Sequence, residues 1–227
     1  MTEAHESAGD GAGDAVVDLL GAMAYGQLTA FLRLADDAEM APTLPEKAAL
    51  ARIAASEFGH FEQICDRLRQ LGADPQTAML PFVAAVDAFH ARTAPNDWLE
   101  GLVKAYDGEG IATDFYREVS AYVDADTRAL VHGVVDDADH VDIVVAAVRA
   151  AIQADPRVAG RLALWGRRLV GEALSQAQRV AADRDALASL LVGATDQPGA
   201  DLLEVGRMFS RMTQTHTERM ARLGLTA

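Results

Sequence analysis

A single cysteine, Cys65, stands in 227 residues. An intrachain disulfide is thereby excluded, and a reducing, cytoplasmic setting is the expectation. Prolines number only seven and aromatic residues make up 6% of the chain. With alanine and leucine abundant, those scarcities point to helices rather than sheets. Positive charge is short as well: 20 Lys and Arg against 34 Asp and Glu leave a net charge of -14. A surface of that sign repels polyphosphate, so broad electrostatic capture of nucleic acid is disfavoured. No apolar run is read as reaching the roughly 20 residues of a bilayer span, so no membrane association is expected. Residues 1–14 are small, polar and acidic, unlike a signal peptide, and read as a flexible tail. Strand-like alternation, a glycine-rich phosphate loop and a nucleophile elbow are all missing.

Half of the chain is hydrophobic, ample for a core in one domain. Apolar residues at helical spacing (Leu20, Met23, Phe31, Leu34) predict a first helix over residues 14–40. Pro42 and Pro45 turn the chain into a second helix that stops at Gly72. A mixed stretch with a short helix around residues 80–92 follows. Asn96 or Asp97 is placed to cap a third long helix over 98–122. A fourth helix runs to about residue 154, Asp155-Pro156 breaks it, and a fifth is expected over 157–191. A loop at 193–199 precedes a last helix over 201–223. The expected architecture is all-α: a four-helix core over 15–155, with a C-terminal helical hairpin over 156–227 packed on it.

Two short words carry the chemistry. Glu57-Phe-Gly-His60 and Asp137-Ala-Asp-His140 each set a carboxylate and an imidazole three residues apart on a helix. That spacing puts both groups on one face, able to reach one metal ion. Both words sit on apolar stripes: Ile53, Glu57, Ile64 and Leu68 on one helix, Val134, Asp137, Val141, Val144 and Val148 on the other. Burying such groups is costly unless something pairs them, and a metal does so.

Matched heights extend the pattern. Gln27 and Glu57 stand 30 positions apart (57 − 27) across the first turn, Glu109 and Asp137 28 apart (137 − 109) across the second. Folded as two hairpins, these residues reach similar levels of one bundle. Di-iron carboxylate bundles place one Glu on each of two helices and Glu-x-x-His on each of the other two. Here the set is Gln27, Glu57 with His60, Glu109, and Asp137 with His140. Glu109 is preferred over Asp107 and Asp114 because Leu102, Tyr106, Glu109, Thr113 and Tyr116 form one inward line. Gly108 and Gly110 flank it, which suggests close helix approach or a local bulge.

At these residues the chain resembles the tRNA-hydroxylase-like branch of the ferritin-like superfamily. The stretches that carry the likeness are Ala24-Tyr-Gly-Gln-Leu-Thr-Ala-Phe31, Ala55-Ser-Glu-Phe-Gly-His60, residues 104–116 around Glu109, and Asp137-Ala-Asp-His140. The resemblance runs from about residue 15 to the end. It implies a ferritin-like bundle with two irons held by Glu57, His60, Glu109, Asp137 and His140. Asp137 is one carbon shorter than the family's Glu. Gln27 stands where the family has its first Glu, a departure that lowers charge on that side and leaves one iron as an alternative to two.

The implied activity is dioxygen activation and hydroxylation of a small organic or nucleoside-type substrate. Individual catalytic residues beyond the ligands are not assigned. A scaffold with a degenerate site, acting through protein contacts, is the alternative, and iron or peroxide handling a third. The C-terminal hairpin offers a surface for a homodimer. Its Arg157, Arg161, Arg167, Arg168 and Arg179 are expected to pair with the acidic excess. Tyr25, Tyr106 and Tyr116, together with His90, His132 and His216, read as structural or solvated, and Cys65 as a small buried hydrophobe.

Overall fold

The computed structural model describes residues 3–136, 141–187 and 198–227. Among them every regular element is helical and none is a strand. Helix α1 (Glu3–Ala38) opens the chain. It reaches back through the stretch read as a tail, so the first helix starts well before Asp14. Helix α2 (Leu44–Gln70) has the bounds the sequence indicated: Thr43 caps it, Pro45 fills its first turn, and Gly72 ends it at φ 80°. Thr43 Oγ1 accepts from the Glu46 backbone N–H at 3.4 Å and donates to the Glu46 carboxylate at 2.6 Å. Helix α3 (Pro75–Met79) leads through a 3-10 turn into α4 (Val83–Arg92). Gly21 of α1 lies directly against the Ala78 carbonyl, where any side chain would overlap it.

The third long helix is α5 (Trp98–Val103), capped by Asp97, and α6 (Glu109–Val119). A π-helical turn, Lys104–Gly108, joins them. The bulge suggested by the paired glycines is therefore present. It also breaks the single inward line expected from Leu102 to Tyr116. Leu102 and Tyr106 pack with Leu162, Trp165 and Met220, whereas Tyr116 packs with the core around Leu19 and Ile64. The i→i+5 bonding of a π-turn adds an extra residue to the turn and so rotates everything downstream.

The fourth segment divides into α7 (Ala125–Val135) and α8 (Val141–Ala154), not one unbroken helix. Helix α9 (Arg157–Asp183) ends eight residues before residue 191, the expected end. Arg184 interrupts it there, its guanidinium clasping the buried Asp18 carboxylate of α1, and residues 185–187 are helical again. Helix α10 (Pro198–Leu223) begins with Pro198 and Gly199, which the sequence had placed in a loop.

One core cluster joins α1, α2, α6 and α7 through Leu19, Leu20, Met23, Ile64, Val119 and Val131. A second joins α5, α8, α9 and α10 through Val103, Val148, Leu162, Leu169, Met220 and Leu223. Full burial of each such side chain contributes about 1.5–3 kcal/mol. The two C-terminal helices thus cover the bundle rather than stand apart. One correction concerns hydropathy: Gly13–Ala38 is long and apolar enough, by length and composition, to cross a bilayer. Here it is the innermost helix, and Leu19, Leu20, Met23 and Ala24 are fully buried against its neighbours.

Candidate metal centre

The first carboxylate–imidazole word is where the pattern put it. Glu57 and His60 are both buried on α2, between Ile53 and Ile64, and His60 Nδ1 lies 3.5 Å from a Glu57 oxygen. Glu109 opens α6 just after the π-turn. Burial, then the neighbouring Glu57 charge, holds its carboxyl well above the usual carboxylate range; Lys104 pulls the other way. Among the described residues no side chain donates a hydrogen bond to Glu109. The two acids come from different hairpins and line the same cavity.

Gln27 completes this side. It lines the same cavity of about 570 Å³ as Glu57 and Glu109. Its Oε1 is buried and accepts no hydrogen bond from any described residue. Gly26 beside it permits a close approach of α6, since a side chain there would meet the Tyr116 hydroxyl at 3.3 Å. Burial pushes Tyr116 up to about 12. The cavity wall is otherwise largely apolar, with Phe82, Val86 and Phe89 among its residues.

Asp137 and His140, the second word, lie outside the described residues. Among the described residues, no group of three or more His, Cys, Asp and Glu stands close enough to hold a metal ion. The first half of the set nonetheless suits hard or borderline cations: two under-compensated carboxylates, an imidazole and an amide oxygen with no donor.

Asp107 and Asp114 are placed elsewhere. Asp107 is wholly buried, 2.9 Å from His216 Nδ1 and 3.3 Å from Arg219 Nε. Arg219 also binds Asp114 at 2.6 Å. Both acids are paired with residues of α10, although the second Asp107 oxygen is buried without a hydrogen-bond partner among the described residues. His216 is accordingly structural. His132 bonds Ser120 at 3.2 Å, Tyr25 donates to Asp87 at 2.8 Å, and Cys65 is buried and free. Of the C-terminal arginines, Arg161 pairs with Asp97 and Glu100, Arg168 with the Arg92 carbonyl, and Arg167 with that of Thr226. No free basic strip is made from those three.

Four charged or polar residues stand on the cavity wall without having been assigned to the site from sequence. Lys104 is buried and donates to the Thr93 carbonyl at 2.7 Å. Asp37 is buried near it, and burial pushes it up to about 6. His90 meets Thr29 Oγ1 at 3.2 Å, and burial brings it down to about 3. Arg33 stands at the surface end of the group. The only local signal was a lone lysine after the apolar run Gly101-Leu102-Val103.

No curated protein matches the chain. A family model does, over residues 12–194, that of a ferritin-fold-like family described as the ferritin-like domain of actinomycetes. The match takes in the helices that carry Gln27, Glu57 and Glu109, and the chain belongs to this ferritin-fold-like family.

Proposed function

We propose that the chain is a non-haem di-iron protein of the tRNA-hydroxylase-like kind, acting as a dioxygen-dependent hydroxylase on a small organic or nucleoside-type substrate. The observation that carries the reading is the pair Glu57 and Glu109: a buried and a partly buried acid from opposite hairpins, lining one cavity, the first helping to raise the carboxyl of the second, with no cation hydrogen-bonded to Glu109 among the described residues. Such a pair is costly unless a cation joins it in the working protein. Glu57, His60 and Glu109 would hold the metal with Asp137 and His140, and Gln27 would offer its unpartnered Oε1. Iron so held supplies the activation of dioxygen needed to hydroxylate a C–H bond.

The chain's own residues do the rest. Three carboxylates, Glu57, Glu109 and Asp137, bring three negative charges, and Gln27 keeps the first helix neutral. Phe82, Val86 and Phe89 give an apolar chamber that orients a substrate and excludes bulk water. Elemental analysis after anaerobic loading with ferrous iron, followed by optical spectra in air, tests the proposal. Close to two irons per chain with an oxo-to-iron band is the expected result. A well-folded protein that takes up no stoichiometric metal overturns it and leaves the scaffold reading, which Gln27 and the short Asp137 favour.

A further inference from the structure

One end of the cavity carries ionisable groups that the metal proposal does not use. Lys104 is only 6% exposed, yet no carboxylate among the described residues lies within ion-pair range of its ammonium. Its contacts are the Thr93 carbonyl and the face of Phe89, 5.6 Å from the ring centre. Asp37 is 7% exposed and receives no side-chain hydrogen bond. Thr29 Oγ1 sits 2.9 Å from the Tyr25 and Gly26 carbonyls and so donates its proton to one of them. It can therefore accept from His90 Nε2; burial keeps His90 neutral, and its buried Nδ1 has no hydrogen-bond partner among the described residues. Arg33, half exposed, holds only a 3.5 Å contact to Asp36. All four residues line the cavity that reaches Gln27, Glu57 and Glu109.

Along α1, Arg33 and Asp37 lie six and ten residues beyond Gln27, roughly 9 and 15 Å at 1.5 Å per residue. Arg33 and Asp37 thus stand apart from Gln27, while Lys104 lies in electrostatic reach of both Asp37 and Glu109. Arg33 already has the Asp36 carboxylate at 3.5 Å, which leaves buried Lys104 as the cation of the group with no carboxylate in ion-pair range among the described residues; Asp37 and Glu109 act on it only at longer range. A single negative charge matches that cation, whereas a dianion would meet the Asp37 carboxylate. An amine would be repelled by both Lys104 and Arg33. Elsewhere the cavity wall includes Leu34, Phe82 and Phe89.

We infer that this end of the cavity binds the carboxylate of a small, largely apolar organic acid, with Lys104 and Arg33 as donors and the apolar body directed toward Glu57 and Glu109. As a statement about the substrate it rests on the hydroxylase proposal. As a binding site it rests on the cavity alone and needs no iron.

Calorimetry on the metal-free full chain at neutral pH tests it, with octanoate, octanamide and octyl phosphate as probes. Octanoate is expected to bind about tenfold or more tightly than the neutral amide, as charge-assisted bonds outweigh neutral ones. It is also expected to bind more tightly than the phosphate. Lys104→Met should weaken octanoate about tenfold, and Arg33→Gln by a few-fold. Arg33 is half exposed, so the second variant reads the site even where the first fails to fold. Equal binding of amide and acid, tighter binding of the phosphate, no octanoate binding, or an unchanged octanoate affinity in Arg33→Gln would each overturn the inference. Iron uptake without octanoate binding overturns this inference alone. Octanoate binding in a chain that takes up no iron keeps the site and removes its role in hydroxylation.

Discussion

Asp107 and Glu109 are two residues apart on one helix, and their surroundings are opposite. Asp107 faces α10, where His216 and Arg219 both bond it. Glu109 faces α2, where it meets another acid and no donor. Two positions apart on a helix, the residues already lie on opposite faces. An acid held by its own arginine and histidine fastens the fold. An acid buried against a second acid weakens it, and is retained for something the chain alone does not supply. Burial by itself therefore says little about role; the charges around the carboxylate decide it.

The largest effect expected falls on the fastened side. Asp107→Ala removes a fully buried acid and leaves His216 and part of Arg219 without a partner. Breaking a buried pair in this way costs about 3–5 kcal/mol. Urea unfolding reads it directly. A loss below 1 kcal/mol, on the scale of an exposed pair, would erase the contrast between the two acids.

His90 tests the under-satisfied side through pH. Its folded value, about 3, lies below the ordinary 6.5, so the folded protein favours the neutral ring. The associated stability is present above 6.5 and is lost as pH falls from there toward 3. Near pH 5 the loss amounts to about 2 kcal/mol, from 1.36 kcal/mol per pH unit. Asp37 runs the other way, since its raised value of about 6 adds stability as pH falls through it. The comparison is therefore parent against His90→Gln: the variant should lose less stability between neutral pH and pH 5. Identical acid profiles would show that the ring is not held neutral.

Glu109→Gln is expected to act with the opposite sign to Asp107→Ala and to be smaller. A carboxyl held above its ordinary range adds stability below that range and loses it as pH rises through the folded value. The metal-free parent thus weakens toward neutral pH on account of Glu109, and the glutamine variant does not. Thermal unfolding with chelator present should show the variant more stable at neutral pH, with iron uptake reduced. A destabilised variant would place Glu109 with Asp107 as a fastening residue.

Much of this was legible in local sequence. Thr43, Pro45 and Gly72 bound α2, Asp97 caps α5, and Gly108 with Gly110 signals the π-turn, because each acts on its own few residues. The burial of Glu57 and His60 followed from the apolar stripe around them. What escaped depends on partners far along the chain. His216 bonds Asp107 from 109 positions away, and Arg184 leaves α9 for Asp18 from 166 positions away. Neither pairing leaves a periodic trace. Nothing local in the sequence marks Lys104 or His90 as enclosed; the packing of α9 against α4 and against the π-turn brings that about.

The smallest change in stability is expected at Gln27. Gln27→Glu adds a third carboxylate to a cavity that already holds Glu57 and Glu109, so the metal-free protein should unfold slightly earlier at neutral pH. The same charge should raise iron uptake, because a carboxylate is a stronger ligand to iron than an amide oxygen. The two shifts have opposite signs, and a residue outside the cavity would produce neither. Gln27 Oε1 is already without a donor, so the substitution breaks no hydrogen bond there. More iron together with faster oxidation in air would mean that the natural glutamine weakens a working centre. More iron with slower oxidation would mean that neutrality at this position sets the reactivity. Unchanged iron uptake would remove Gln27 from the ligand set and leave the asymmetry between Asp107 and Glu109 without its proposed cause.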